Sequence, residues 1–300
     1  MKLGLALGAG AAKGWAHIGI LKGLEEAGLE IAWIAGTSIG SLVGAVYAAG
    51  NLDAFAQDII AMDWKRVVAM IDLVLPRNGV IDGQKVMKLL QQYLPQTIEA
   101  LNIPYAAVAT DIYTGKEVVL KSGSVLEAVR ASIAVPTIFT PVITEKYCLV
   151  DGGLVNPVPV DVVRSLGAEK VLAVDLIYES PASFIKNKEQ TSKNKDNDWL
   201  NKIAIKIKEK FPKVDLSFIE SFKNWIAKGE DTPHLFEIMH SSLSIMEQRL
   251  TQILFELYPP DFILRPPLDH IKLRDFHRGK ECIEIGYKEI KKILPSILAS

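Results

Sequence analysis

The chain has little cysteine, little net charge and an ordinary apolar content. Its two cysteines, Cys148 and Cys282, form neither a disulfide framework nor a zinc spacing, and they fit a reducing compartment. The formal net charge of −1 provides no global field that would attract nucleic acid or an anionic membrane. With 49% apolar and 23% charged residues over 300 positions, the composition is that of a soluble globular protein of one large or two ordinary domains.

Charged residues are absent from one long run, 31–52, which raises the question of a membrane span. The middle of this run, 36–40, contains two glycines and two hydroxyl side chains, so the run divides into two parts. We predict a buried strand over 31–35 and a helix over 39–49. Strand, G-x-S-x-G and helix together are typical of a nucleophile elbow, with Ser38 as the nucleophile and small residues at Gly36 and Gly40.

The first twelve residues resemble a secretory signal peptide, because a lysine precedes a short apolar stretch and several small residues. The apolar stretch is at the short limit and contains a glycine. Cleavage near Ala12 would also remove a predicted strand over 2–7. We therefore interpret this segment as part of the fold and expect a cytoplasmic protein.

A glycine-rich turn, 8–14, follows the first strand and precedes a helix predicted over 15–27. Such a turn presents backbone N–H groups to an anion, which is either a phosphate or the oxyanion of an acyl-transfer intermediate. Lys13 occupies the third glycine position of the dinucleotide pattern, and it precedes Gly14, which breaks the phosphate-loop pattern. Beside a serine elbow on the next strand, the turn therefore favours acyl transfer over nucleotide binding.

Helices and strands alternate along the rest of the chain. Helices are predicted over 53–68, 83–93, 125–132 and 278–294, with Asp53 and Asp82 as caps of the first two. Strands are predicted over 104–110, 116–121, 147–150, 170–177 and 261–265. This alternation indicates a three-layer α/β/α sandwich with a mostly parallel central sheet. No internal repeat and no second core is recognisable, so we expect one domain over 1–300.

A lysine-rich segment at about 182–231 interrupts the alternation. Its amphipathic stretches predict a helical insertion that packs on the domain. The alternative is a lid or a peripheral membrane contact through 199–226, since lysine beside tryptophan and isoleucine suits a membrane interface.

Asp151 is the second candidate catalytic residue. It ends a predicted strand, and Gly152 and Gly153 follow it and leave its carboxylate little crowded, although an isolated D-G-G is more often a plain turn. A serine needs a base within hydrogen-bond reach before it becomes nucleophilic. Two arrangements are open, a Ser38–Asp151 dyad or a Ser, Asp, His triad in which His270 or His277 is the base.

Several ordered motifs together resemble the patatin-like phospholipases, most closely a bacterial cytoplasmic branch related to neuropathy target esterase. They are GAGAAKGWAHIGIL (8–21), GTSIG (36–40), AVRASIAVP (128–136), DGGLVNPVP (151–159), PPDFILRP (259–266) and DFHRGKECIEIGY (275–287). The resemblance covers nearly the whole chain except about 180–232. Gly8, Gly14, Gly36, Gly40, Gly152 and Gly153 are the glycines of these motifs.

This resemblance implies a lipid acyl hydrolase that uses Ser38 and Asp151 without a catalytic histidine. It implies an oxyanion hole made by backbone N–H groups of Gly10, Ala11 and Lys13, although many relatives have glycine in place of Ala11 and arginine in place of Lys13. No metal or organic cofactor is expected, because the serine itself is the nucleophile.

The expected partner is a lipid ester or phospholipid, with peripheral contact at the membrane and no nucleic acid. The first alternative is a catalytically weak or inactive patatin-like protein that binds lipid or a protein partner. The second is a nucleotide-binding protein that uses the glycine-rich turn. The sequence predicts no oligomeric state.

Overall fold

A computed structural model describes residues 2–72, 81–178 and 235–300. The predicted insertion at about 182–231, with its stretch 199–226, lies outside these described residues. Within the ranges described, no helix combines the length and the apolar character needed to cross a bilayer.

Strands and helices alternate along the described ranges. The strands are β1 (Lys2–Leu7), β2 (Glu30–Thr37), β3 (Tyr105–Asp111), β4 (Lys116–Leu120), β5 (Val142–Ile143), β6 (Cys148–Asp151), β7 (Lys170–Val174) and β8 (Phe262–Leu264). The helices are α1 (Ala16–Glu26), α2 (Ile39–Ala48), α3 (Leu52–Ile60), α4 (Trp64–Ala69), α5 (Gln84–Leu90), α6 (Val125–Ser132), α7 (Val160–Ser165), α8 (Leu235–Leu257) and α9 (Gly279–Leu298). Short 3-10 helices cover Ala11–Trp15, Ile98–Ala100, Gly152–Leu154 and Phe276–Arg278.

The strands form one eight-stranded sheet in the order β5-β6-β3-β2-β1-β7-β8, with β4 paired to β3. The pairs β3–β2, β2–β1, β1–β7 and β7–β8 are parallel. The pairs that β3 forms with β4 and β6, and that β5 forms with β6, are antiparallel. The predicted mostly parallel sheet is therefore confirmed, with antiparallel strands gathered at one end.

Helices cover both faces of this sheet because successive residues of its strands point to opposite sides. Leu3, Leu5 and Leu7 of β1 join the larger core, which contains buried residues of α1, α2, α3 and α9. Ala6 of β1 points the other way and joins a smaller core with buried valines of α7, including Val163. The three-layer α/β/α sandwich predicted from the sequence is therefore confirmed.

The helix predicted over 53–68 is in fact two helices, α3 and α4. Asp63 separates them, and its side chain accepts a hydrogen bond from the backbone N–H of Arg66 at 2.8 Å, which is the geometry of a helix cap. The prediction that Asp53 caps this segment is wrong, since Asp53 lies within the first turn of α3 and Asn51 precedes that helix.

The cap predicted at Asp82 is also wrong. Gly83 precedes α5 with a φ of 83°, and the carboxylate of Asp72 accepts hydrogen bonds from the N–H groups of Gly83 and Lys85 at 2.8 and 3.1 Å. The free N–H groups at the start of α5 are thus satisfied by an aspartate from a preceding segment rather than by a neighbour in sequence.

Candidate active site

Two strands that approach from opposite directions bring the predicted serine and aspartate together. Both β2 and β6 pair with the same edge of β3, the one opposite β4. Because β2 runs parallel to β3 and β6 antiparallel to it, the two strands meet end to end at neighbouring residues of β3. Thr37, the last residue of β2, pairs with Val108, and Asp151, the last residue of β6, pairs with Ala109. Ser38 therefore contacts Asp151 although the two lie 113 positions apart in the sequence.

The Ser38 hydroxyl donates a hydrogen bond of 2.5 Å to Oδ2 of Asp151. The other carboxylate oxygen, Oδ1, accepts a hydrogen bond of 2.8 Å from the backbone N–H of Gly153. Burial raises the pKa of Asp151 to about 6, and the hydrogen bonds from Ser38 and Gly153 act in the opposite direction. Asp151 is therefore ionised at neutral pH and is more basic than an exposed aspartate, as a general base requires.

The backbone of Ser38 is strained, with φ of 57° and ψ of −126°. Its N–H donates to Oγ of Ser132 at 2.9 Å, and the Ser132 hydroxyl donates to the carbonyl of Val108 at 2.6 Å. Its own carbonyl accepts a hydrogen bond of 2.7 Å from the Ser41 hydroxyl. Ser132 at the end of α6 thus holds the elbow in place; it lies in the motif 128–136, which does not by itself indicate this contact.

The elbow lies directly against the end of β1. A Cβ atom on Gly40 would lie 2.1 Å from the carbonyl oxygen of Leu7, so only glycine permits this approach. The glycine-rich turn that follows Leu7 is therefore adjacent to Ser38. The six predicted motif glycines, Gly8, Gly14, Gly36, Gly40, Gly152 and Gly153, lie close to the ends of β1, β2 and β6.

The glycine-rich turn offers fewer N–H groups than the sequence predicts. The Lys13 N–H donates to the carbonyl of Gly10 at 3.0 Å and closes the 3-10 turn, and the Ala12 N–H donates to the carbonyl of Leu273 at 3.1 Å. The prediction of Lys13 as an oxyanion donor is corrected for this reason. In the part of the chain that is described, the N–H groups of Gly10 and Ala11 have no protein acceptor.

Ala11 takes up a positive φ of 47°, where an alanine is strained, and it faces the same cavity as Ser38. The turn is therefore strained at the position where many relatives have glycine.

An apolar cavity of about 210 Å³ opens beside Ser38. It is enclosed by residues of α2 to α5 and of the segments 133–139 and 273–276, among them Leu42, Phe55, Val67 and Leu90. Of the lining residues that the structure describes, all except Ser38 and Arg274 are apolar. The arrangement places the Ser38 hydroxyl at the edge of a space suited to a hydrocarbon chain.

The histidines that could complete a triad lie elsewhere. Nε2 of His270 is 2.9 Å from Oε1 of Glu281, and both side chains are exposed. The ring of His277 packs edge-on against Trp64, with 5.1 Å between ring centroids. The hydrogen-bond partner of the Ser38 hydroxyl is Asp151 and neither imidazole.

A third histidine lies beneath the glycine-rich turn. Nε2 of His17 is 2.8 Å from the carbonyl oxygen of Gly8, and burial lowers the pKa of His17 to about 4. The ring is therefore neutral at physiological pH and supports the start of the turn through this hydrogen bond.

Comparisons with known proteins identify the family of the chain. The sequence model of the patatin-like phospholipase family matches residues 5–164. An NTE family protein of Mycobacterium tuberculosis is 30% identical over 95% of this chain and 89% of its own length. Neuropathy target esterase sws of Drosophila melanogaster is 34% identical over 95% of this chain, and patatin-like phospholipase domain-containing protein 6 of Homo sapiens is 29% identical over 97%.

This chain spans only 19% and 20% of the lengths of the Drosophila and human proteins. Among solved structures, the match to VipD from Legionella pneumophila covers 99% of this chain and 67% of VipD, with a TM-score of 0.44 and 12% identity.

Proposed function

The chain belongs to the patatin-like phospholipase family, and from this premise we propose that it is a serine acyl hydrolase of lipid esters that forms an acyl-enzyme. The observation that carries the proposal is the 2.5 Å hydrogen bond from the Ser38 hydroxyl to Asp151 at the edge of an apolar cavity. A nucleophile, a buried base and an apolar acyl site are the parts that ester cleavage needs.

In the first half-reaction, Asp151 takes the proton of Ser38 while Oγ forms a bond to the carbonyl carbon of the ester. The carbonyl π electrons move to oxygen, and the resulting oxyanion accepts hydrogen bonds from the N–H groups of Gly10 and Ala11. When the intermediate collapses, the bond to the alcohol oxygen breaks, and that oxygen takes the proton back from Asp151. The acyl group stays on Ser38.

In the second half-reaction, a water molecule gives a proton to Asp151 and attacks the acyl carbon. Collapse of this second intermediate breaks the bond to Oγ, which recovers the proton from Asp151. The products are a fatty acid and free Ser38, so the pair returns to its starting state. Asp151 acts as base and then as acid in both halves, which suits a pKa of about 6.

The cavity supports an acyl chain of moderate length as the group transferred to Ser38. An engineered apolar cavity of about 150 Å³ holds benzene, so about 210 Å³ accommodates roughly eight carbon atoms. A longer chain would extend beyond the enclosed part.

A fluorophosphonate probe, which phosphonylates activated serines, tests the proposal. We expect the folded protein to be labelled and Ser38→Ala to lose the label. Ser165→Ala is the matched control, since it makes the same change on α7, where the hydroxyl only bonds the carbonyl of Val162. An unlabelled wild-type protein, or a label that persists in Ser38→Ala, would refute the enzyme and favour a lipid-binding or partner-binding member of the family.

A further inference from the structure

The second glycine of the D-G-G turn, Gly153, lies against a carboxyl group from a distant helix. A Cβ atom on Gly153 would lie 2.3 Å from Oε1 of Glu247, on α8, and 3.2 Å from Oδ1 of Asp151. The backbone does not require glycine here, since Gly153 has no positive φ. The missing side chain instead leaves the space in which the Glu247 carboxyl lies beside Asp151.

We propose that Glu247 is a positioning residue for ester cleavage, and that its carboxyl group, lying on Gly153, makes Asp151 a stronger base when Glu247 is ionised. The inference rests on the proposed function, in which Asp151 is the base. No sequence motif marks Glu247, because it lies in a long helix without turn glycines.

The surroundings of Glu247 make it a group that changes charge close to neutral pH. Burial, and then the negative charge of Asp151, raise the pKa of Glu247 to about 8. The helix α8 packs on the Gly152–Leu154 turn. Asp151 directly precedes this turn and is the charged residue next to Glu247 there. On α8 itself, Arg249 is exposed and bonds Gln252, and Glu256 is exposed. Among described residues, Asp151 is the charge that acts on Glu247.

The two carboxyl groups therefore ionise in sequence. At pH 7 Asp151 carries the negative charge and Glu247 is neutral, whereas above pH 8 both are charged. When Asp151 takes the Ser38 proton, negative charge leaves Asp151 and appears on the oxyanion. A charged Glu247 favours the transfer of negative charge away from Asp151, because the two carboxylates repel each other. Turnover should thus rise once near pH 6 and again near pH 8.

The test measures kcat/KM for a water-soluble short-chain ester from pH 5 to 10, with Ser38→Ala as the blank for hydroxide hydrolysis. We expect kcat/KM of the wild type to increase about three- to tenfold between pH 7 and pH 9. For Glu247→Gln, the ratio of kcat/KM at pH 9 to kcat/KM at pH 7 should be close to one. Glu256→Gln is the matched control, because it makes the same change on an exposed position of α8. It should retain the second rise.

A second variant removes the contact without removing the carboxyl group. In Gly153→Ala the new methyl group would occupy the place of Oε1, so the end of the Glu247 side chain must move away. We expect this variant to lose the second rise as Glu247→Gln does. A second rise that persists in both variants, or that is absent from the wild type, overturns the inference.

Thermal melting provides a measurement that does not depend on turnover. When folding raises the pKa of a carboxyl group, the folded state loses stability as the pH rises from the pKa of the unfolded state, near 4, to the pKa of the folded state. The melting temperature of Glu247→Gln should therefore exceed that of the wild type by an amount that grows from pH 5 to pH 8. A difference that is constant with pH contradicts the proposal.

The two proposals fail in different ways. Ester turnover that survives in Ser38→Ala refutes the proposed function. If Ser38→Ala abolishes turnover while kcat/KM of Glu247→Gln depends on pH as in the wild type, only the role of Glu247 is refuted.

Discussion

The length of the acyl chain should control turnover through the cavity beside Ser38. Each methylene transferred from water to an apolar site contributes about 0.8 kcal/mol, which is roughly a fourfold change in kcat/KM. The enclosed space of about 210 Å³ admits roughly eight carbons by comparison with the cavity that holds benzene. Four added methylenes, from a four-carbon to an eight-carbon acyl group, should therefore raise kcat/KM by about two hundredfold at most.

A series of p-nitrophenyl esters, kept below their micelle concentrations, measures this dependence. The slope of log kcat/KM against carbon number should be positive up to about eight carbons and then level off. A flat series, or one that declines from four carbons onwards, would show that the acyl chain does not enter this cavity.

Substitution of the cavity wall links the slope to a particular residue. Val67 on α4 is half-buried and lines the cavity, so Val67→Trp should fill space that the far end of the chain occupies. We expect the eight-carbon ester to lose more of its kcat/KM than the four-carbon ester. Lys65→Trp adds the same indole to an exposed position of α4 and should leave the slope intact. Equal losses for both esters in Val67→Trp would contradict the assignment of the acyl site.

Three further predictions concern the site. Asp151→Asn should lower kcat by about 10² to 10⁴ with little change in melting temperature. His270→Ala and His277→Ala should retain turnover. A folded but inactive histidine variant would restore the triad hypothesis. Turnover should fall about tenfold per pH unit below pH 6, because protonated Asp151 cannot accept the serine proton; a rate that stays level to pH 5 would exclude it as the base. Ala11→Gly should increase the free energy of unfolding by about 0.5–1 kcal/mol in urea denaturation, since glycine relieves the positive φ; a decrease would contradict the strain.

The sequence predicts best those parts of the site that depend on local patterns. The G-x-S-x-G elbow places Ser38 between a strand and a helix whatever the rest of the chain does, and the structure has β2 and α2 there. The alternation of helices and strands likewise predicts the layers correctly. Asp151 could be proposed because turn glycines follow it, but its contact with Ser38 depends on the pairing of β6 with β3, which the spacing of the motifs does not define.

The features of the fold and the site that the sequence does not predict depend on contacts between distant segments. Ser132 and Glu247 meet the dyad only after α6 and α8 pack against the sheet. Ser132 lies in the motif 128–136, but the motif does not indicate its contact with Ser38, and no local pattern marks Glu247. The capping role of Asp72 arises in the same way, because it lies before α5 rather than at its start. The family resemblance implies that the N–H of Lys13 belongs to the oxyanion hole, and the sequence does not show that a tight turn already uses this N–H group.

The antiparallel end of the sheet makes the catalytic geometry depend on its smallest strands. Asp151 belongs to a four-residue strand that joins β3 through three residue pairs, and its outer neighbour β5 contains only two residues. Such edges open at lower free energy than the centre of a sheet. Local unfolding can therefore displace the proposed base while β1, β2 and β7 remain folded. Loss of the proposed activity on heating or in denaturant should thus precede the global transition.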